Sequence, residues 1–329
     1  MIEVKDLTMH YKATLGWVKA VNDVTFSVDK HESLGIVGES GAGKSSVAIA
    51  LLRILPQNGV IRQGKVLVDG LEVLSLPGST FRKEIRWKKI SMIFQASMDA
   101  LDPVYTVGHQ LISILRLHRN VSKKEARKKA EAAVGRVDLR SSILNSYPHE
   151  LSGGMKQRVM IALSFLLIQP SVVLADEPTS ALDVLVEDRV LKQMKKLQGE
   201  SDLSVVHISH NVSTILTMCD KMAVMYAGEF VEYGEIRTVF RCCAHPYTIG
   251  LLKAVPSLRA PTEMLVTIPG TPPSLIQPPV GCTFAPRCPL AAPICRETTP
   301  PIVKLADDHW VRCHFARDIR KEDVHFGTL

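Results

Sequence analysis

The sequence predicts an α/β protein: a mostly parallel sheet with an antiparallel β layer, a helical insertion, and a small Pro- and Cys-rich module towards residue 329. Three observations carry that expectation. Ser33-Leu34-Gly35-Ile36-Val37 is a short apolar run that passes through a Gly-rich turn into the helical pattern Ser46 to Leu52. Apolar strands and helical stretches alternate again from Ser171 to Tyr233, which implies parallel strands covered on both faces. Between them, Val107 to Phe165 is mostly helical in pattern.

Each element has its own signal. Ile2, Val4 and Leu7 begin an alternation suited to an edge strand, and Val24 to Val28 is a second strand. Lys65 to Val68 runs into Asp69-Gly70, a pair that accepts positive φ, so a hairpin is expected over Val66 to Val73. Ile90 to Phe94 reads as a buried strand ending at Gln95. Ser122-Lys123-Lys124-Glu125 is a capping box for a helix with Ala126, Ala130, Ala133, Val134 and Val137 on one face. The strand Ser171 to Asp176, the helix Leu185 to Gly199 and the strand Ser204 to Ser209 follow. A hairpin over Lys221 to Tyr233 turns near Gly228. A boundary is expected near Pro246, dividing the chain into 1–245, with a helical subdomain at about 96–165, and 246–329. Pro256 to Pro279 is expected to be extended.

Bulk properties narrow the class. A chain of 329 residues suggests about two domains with real cores. The formal charge of +7 fits a solvated basic surface, or an anionic partner such as a nucleotide or a membrane surface. The longest apolar run, Val159 to Ile168, is short of the ~20 residues of a membrane helix. Met1 to Lys5 shows no secretory signal, so a cytoplasmic location is expected. Seven cysteines are an odd count, which argues against a disulfide framework.

Gly38-Glu39-Ser40-Gly41-Ala42-Gly43-Lys44-Ser45 is a P-loop by composition and by its strand–turn–helix setting. Its backbone N–H groups and the helix N-terminus make an anion cradle from Gly38, Ser40, Gly41, Gly43 and Ser46. Lys44 reaches the β/γ-phosphates of ATP, and Ser45 ligates Mg²⁺. The strand Val172 to Ala175 ends in Asp176 and Glu177, at the ligand edge of an open sheet. Asp176 is expected to hold Mg²⁺, and Glu177 to act as general base towards water. Ser152, Gly153 and Gly154 open another helix, whose bare N–H groups form a second phosphate site. Tyr11 is expected to stack on adenine, with Trp17 as the alternative.

Leu151 to Arg158 resembles the signature motif of ABC transporter ATPases. Pro178-Thr179-Ser180-Ala181-Leu182-Asp183 is similar to their segment after Walker B, including the D-loop. Gln95 fits the Q-loop and His210 the switch histidine. The resemblance spans roughly Ile2 to Tyr247. It implies that Gln95, Glu177 and His210 serve hydrolysis and that Gln95 joins Ser45 and Asp176 around Mg²⁺. It also implies that two chains pair head-to-tail, sandwiching ATP between the P-loop of one and Ser152-Gly153-Gly154 of the other, with Asp183 crossing the interface.

Met155, the stretch Phe94 to Pro103, His245-Pro246-Tyr247-Thr248 and Ile268-Pro269-Gly270 resemble the dipeptide/oligopeptide (peptide/nickel) permease group of that family. Ser97 and Asp102 depart from its pattern where Pro and Asn are usual, and Asn211 stands where Asp is frequent. The resemblance implies an ATP-driven motor for import of di- and oligopeptides, peripheral on the cytoplasmic face of the membrane. Implied partners are two membrane permease subunits, a second ATPase subunit of paralogous sequence, and an extracytoplasmic solute-binding protein acting through the permease. Ser97 to Thr106 would receive a permease helix. The same motor could serve nickel chelates or oligosaccharides. A soluble ABC ATPase acting on nucleic acid or ribosomes is the alternative of another class. One cassette, no coiled coil between Lys44 and Asp176, and no basic stripe with interleaved aromatics argue against a nucleic-acid partner.

Cys282, Cys288, Cys295 and Cys313 lack the short C-x₂-C pairs of zinc ribbons. Four thiols in a Pro-rich module suggest a metal staple, with an iron–sulfur cluster, zinc and metal-free thiols all open. The family resemblance implies a [4Fe–4S] cluster. Cys219, Cys242 and Cys243 read as structural or incidental, and His309 and His314 as packed histidines or substitute ligands.

Overall fold

Hydrophobic alternation and capping residues set the order of elements, which runs strand-rich, then helical, then α/β. In a computed structural model that describes residues 1–95, 97–180, 182–255 and 267–326, the chain begins with β1 (Ile2–Ala13), β2 (Gly16–Val28) and β3 (Ser33–Val37). Next come α1 (Lys44–Leu51), β4 (Gly59–Val68), β5 (Leu71–Glu72) and β6 (Ile90–Ile93). The helical stretch holds α2 (Val107–Arg119), α3 (Lys123–Arg136) and α4 (Gly153–Ile161). Then follow β7 (Val172–Asp176), α5 (Val184–Gly199), β8 (Ser204–Ser209) and α6 (Val212–Met218). The rest comprises β9 (Lys221–Tyr226), β10 (Glu229–Glu235), α7 (Ile236–Cys242), α8 (Pro246–Lys253), α9 (Ile294–Glu297), β11 (Ile302–Ala306) and β12 (His309–Arg312). Ala96, Ala181 and the first part of the Pro256 to Pro279 stretch lie outside the described residues.

These elements form two compact units. One comprises Met1–Glu3, Ser27–Glu32 and Val66–His207. Its strands lie in the order β8-β7-β6, with β6 and β7 parallel and Ile90 opposite Val172. All five residues of β7 are buried, as expected of a strand covered on both faces. In α3 the expected face Ala126, Ala130, Ala133 and Val134 is buried, and the Ser122 hydroxyl caps the helix by accepting from the Glu125 N–H. Helix α4 continues as a buried π-helical segment, Ala162–Leu167, and the Ser91 hydroxyl ties β6 to it by donating to the Ser164 carbonyl at 2.9 Å. The β4–β5 hairpin turns on Asp69 and Gly70 at φ 49° and 78°, as the Asp-Gly pair predicts.

The other unit comprises Val4–Phe26, Ser33–Lys65 and Ile208–Leu329. It holds strands in the order β2-β1-β4 and a second set, β11-β12-β10-β9-β3. Strand β3 pairs with β9 in parallel, with Leu34 opposite Lys221. The β9–β10 hairpin turns at Ala227 and Gly228, both at positive φ. One expectation is corrected: β1 is not an edge strand but lies between β2 and β4. Side-chain alternation reports which faces are buried and carries no information on which edges are hydrogen-bonded. Among the described residues no helix is long and apolar enough to cross a membrane.

The Asp69 turn is also an electrostatic anchor. Its carboxylate accepts from Lys89 Nζ and from the Ser171 hydroxyl, each at 2.6 Å. Burial alone would raise its pKa, but those two hydrogen bonds and the lysine charge outweigh it and hold the group at about 2, below its ordinary 3.8. The depressed value means that this contribution is fully present above about pH 4 and is lost as pH falls through 2. Asp69→Asn should lower stability by about 1 kcal/mol at pH 7 and flatten the loss between pH 4 and pH 2, measured by urea unfolding at each pH.

Candidate nucleotide-binding site

The P-loop lies in the second unit. Strand β3 is buried along its length and delivers the chain to Gly38, and α1 starts at Lys44. Two glycines are required by backbone proximity. A Cβ on Gly38 (φ 155°) would stand 2.1 Å from the Met225 carbonyl oxygen, and one on Gly43 (φ 107°) 2.1 Å from the Ala20 carbonyl oxygen. Lys44 is nearly buried, and its ammonium donates to the carbonyls of Gly38 (2.8 Å) and Glu39 (2.9 Å). The lysine thus sits inside the loop's concavity, where an anion would offer it a stronger acceptor. Ser45 and Ser46 are half-buried in the first turn of α1, and Ser40 and Gly41 are exposed. The Tyr11 hydroxyl donates to the Ser46 hydroxyl at 3.1 Å, so the expected aromatic lies against this turn. The alternative, Trp17, has one face covered by the Arg62 guanidinium, 3.9 Å from the ring centroid.

The other motifs belong mainly to the first unit. Asp176 ends β7 and is 4% exposed. Glu177 follows at φ 45°, a left-handed conformation that costs a non-glycine residue about 1 kcal/mol or more. Its carbonyl is fixed by the Ser180 N–H and hydroxyl. Its carboxylate accepts from Gln95 Nε2 at 3.2 Å, so the structure brings two of the expected catalytic residues together. Ser152 caps α4 through the Met155 N–H, and Ser152 and Gly153 are exposed. Gly154 packs so closely on α5 that a Cβ would meet Val186 at 2.7 Å. Asp183 caps α5 through the Val186 N–H at 3.0 Å, and Val184 and Leu185 beside it are 78% and 81% exposed. His210 is exposed just beyond β8, where Asn211 caps α6 through the Ser213 N–H.

This arrangement has counterparts among known proteins. Residues 21–180 match the ABC transporter family, and residues 231–295 match the oligopeptide/dipeptide transporter C-terminal region. The chain is 46% identical to the oligopeptide transport ATP-binding protein OppD of Escherichia coli K12, over 95% of this chain and 92% of that one. It belongs to the ABC transporter ATP-binding family. It is 41% identical to the OppD protein of Bacillus subtilis 168, over 95% of this chain and 88% of the other. A solved neighbour is the ATP-binding cassette MJ0796, a dimer in a post-hydrolysis state bound to ADP and phosphate. It has a TM-score of 0.64 and 28% identity over 72% of this chain and 99% of that one. The fold is therefore that of an ABC ATPase, and the family activity is ATP hydrolysis coupled to transport.

In this ABC ATPase the four expected cysteines, Cys282, Cys288, Cys295 and Cys313, line one small apolar cavity with Phe284, Leu290 and Phe315. Burial pushes the Cys288 thiol up to about 11 and the Cys313 thiol up to about 12, and the neighbouring thiols add to both shifts. Among the described residues, no three His, Cys, Asp or Glu groups stand close enough to hold a single metal ion. Each candidate histidine has one ring nitrogen engaged, and His314 also lines the cavity. His309 Nε2 is 2.9 Å from the Glu232 carboxylate, and His314 Nε2 is 3.0 Å from the Thr298 carbonyl.

Sequence reasoning overlooked the residues that hold the P-loop from the C-terminal side. Glu39 inside the loop is bonded by Tyr247 and Arg287. Tyr247 stands in a motif noted above and Arg287 directly precedes Cys288, but partners 208 and 248 residues away leave no local pattern. Gly43→Ala should destabilise the protein by about 2–4 kcal/mol in urea unfolding and abolish nucleotide binding, because the obstacle is a backbone carbonyl that cannot rotate away.

Proposed function

We propose that the chain is the ATP-hydrolysing motor subunit of an importer for di- and oligopeptides. The observation that carries this reading is the Gln95–Glu177 hydrogen bond at the end of a buried strand, in a chain that also holds an intact P-loop. In the proposed mechanism Lys44 exchanges the carbonyls of Gly38 and Glu39 for phosphate oxygens of ATP. The amides of residues 40–44 cradle the phosphates, and Tyr11 stacks on adenine. Glu177 accepts a proton from the attacking water, with its carboxylate oriented by Gln95. His210 contacts the γ-phosphate. Ser45, Asp176 and Gln95 offer hydroxyl, carboxylate and amide oxygens, a donor set suited to Mg²⁺, which neutralises phosphate charge when bound.

Two chains pair so that the bare N–H groups at Ser152-Gly153-Gly154 of one close over ATP on the P-loop of the other. The exposed Val184 and Leu185 beside Asp183 support an interface there. The OppD relatives, which are oligopeptide transport ATP-binding proteins, support a peptide cargo. By its resemblance to the peptide permease group the subunit sits peripherally on the cytoplasmic face of the membrane, with two permease subunits, a paralogous second ATPase and a solute-binding protein as partners. The segment after Gln95 suits a permease contact. The Gln110 side chain closes it with hydrogen bonds to Asp102 and Tyr105, which leaves Val104 69% and Tyr105 48% exposed. We assign 1–245 to the nucleotide-binding domain, with its helical subdomain at about 96–165, and 246–329 to the peptide-transporter module.

For the cysteine cavity we propose a [4Fe–4S] cluster as a structural staple. The support is that four cysteines line one cavity, a donor set that suits such a cluster.

Glu177→Gln should keep ATP binding but lose at least about 100-fold in turnover, measured as phosphate release. In cells lacking this chain, uptake of labelled peptides should be rescued by the wild type and not by Glu177→Gln; rescue by both would exclude the motor role. Cys288→Ser should remove iron and visible absorption from anaerobically purified protein; unchanged iron content would exclude the cluster.

A further inference from the structure

Glu39 stands inside the P-loop, yet phosphate binding makes no use of a carboxylate there. All of its polar groups are nevertheless engaged. Its N–H donates to the Tyr247 hydroxyl at 2.8 Å, and its carbonyl accepts from Lys44 at 2.9 Å. Its carboxylate takes both arms of the Arg287 guanidinium, Nη1 to Oε2 at 2.7 Å and Nη2 to Oε1 at 2.9 Å. The Arg287 side chain is only 5% exposed. Its other N–H bonds go to the carbonyls of Pro269 (2.8 Å) and Ile268 (3.2 Å) and to the Tyr226 hydroxyl (3.3 Å). Tyr247 is fully buried, its ring centroid 4.6 Å from that of Tyr226 and 5.4 Å from that of Phe284. Phe284 and Cys288, the next residue after Arg287, both line the cysteine cavity.

We propose that Arg287 and Tyr247 are positioning residues for the P-loop, through which the cysteine module sets the affinity for nucleotide. This rests on the reading of the P-loop as the ATP site. A loose ion pair at a surface would do little. A buried, bidentate guanidinium is different: it fixes the carboxylate in one plane, and it cannot lose its charge. With side chain and N–H both held, the Glu39 peptide cannot rotate, so the amides that follow are aimed before ATP arrives. Without the clamp the loop samples other shapes, and apparent affinity falls by the fraction of loops still competent. Glu177 and Gln95 lie on other segments, so saturating ATP restores turnover. The signature of the clamp is a raised KM with an unchanged kcat.

The test uses the full chain, a fluorescent ATP analogue and phosphate release. Glu39→Gln and Arg287→Ala should each weaken binding by about tenfold, with kcat at saturating ATP within about twofold of wild type. The double variant should bind about as weakly as the weaker single variant, because both remove one interaction. Arg287→Lys should restore part of the affinity lost in Arg287→Ala. If Arg287→Ala fails to fold, Glu39→Gln decides, since that change sits in the loop and leaves the module intact. Unchanged affinity in folded Glu39→Gln, or effects that multiply in the double variant, would overturn the clamp alone. Wild-type binding no tighter than that of Lys44→Ala would instead overturn the nucleotide reading, and the clamp with it.

Discussion

The structure of the P-loop unit depends on two backbone contacts that admit no side chain. Gly38 lies against the Met225 carbonyl and Gly43 against the Ala20 carbonyl. The loop is therefore pinned at both ends, by β9 and by β2, and only glycine fits at either pin. Everything the loop offers follows from that. Lys44 folds back into a space of fixed size, and α1 leaves with its N-terminus facing the same space. The Gly228 N–H adds a further restraint by donating to the Ala42 carbonyl at 2.9 Å.

The other motifs use helix caps in a comparable way. Ser152, Asp183 and Asn211 each end a loop and start a helix by accepting a backbone N–H. A cap of this kind contributes about 1 kcal/mol and also fixes where the first turn of N–H groups points. Local stability and the presentation of each motif are thus the same geometric requirement. Gly154 shows the overlap from the other side. Its bare backbone suits a phosphate site, and its missing Cβ also lets α4 approach Val186 of α5.

Beyond β10 the chain sets a buried polar network among its apolar residues. The fully buried Glu232 carboxylate accepts from the N–H groups of Ala244 and His245, and His309 lies against it. His245 is itself buried, and burial pushes its pKa down to about 3, so it stays neutral and accepts from the Tyr247 N–H. Tyr247 is thereby delivered to Glu39. A buried hydrogen-bonded network of this kind orients groups more narrowly than packing alone.

Local chemistry made much of this protein legible from its residues. The Asp69-Gly70 turn, the alanine face of α3, the buried strands β3 and β7 and the caps at Ser122 and Ser152 follow from propensities that act over a few residues. The P-loop residues and the strand-end acids could be proposed for the same reason, because phosphate chemistry calls for glycines, a lysine and acids in local patterns, whereas Gln95, His210 and Asp183 rested on the family resemblance. The interior place of β1, the Gln95–Glu177 contact and the hold of Arg287 on Glu39 could not. Each joins residues distant in sequence. Strand pairing, side-chain hydrogen bonds and buried ion pairs are decided by which segments meet in space, and only the tertiary structure fixes that.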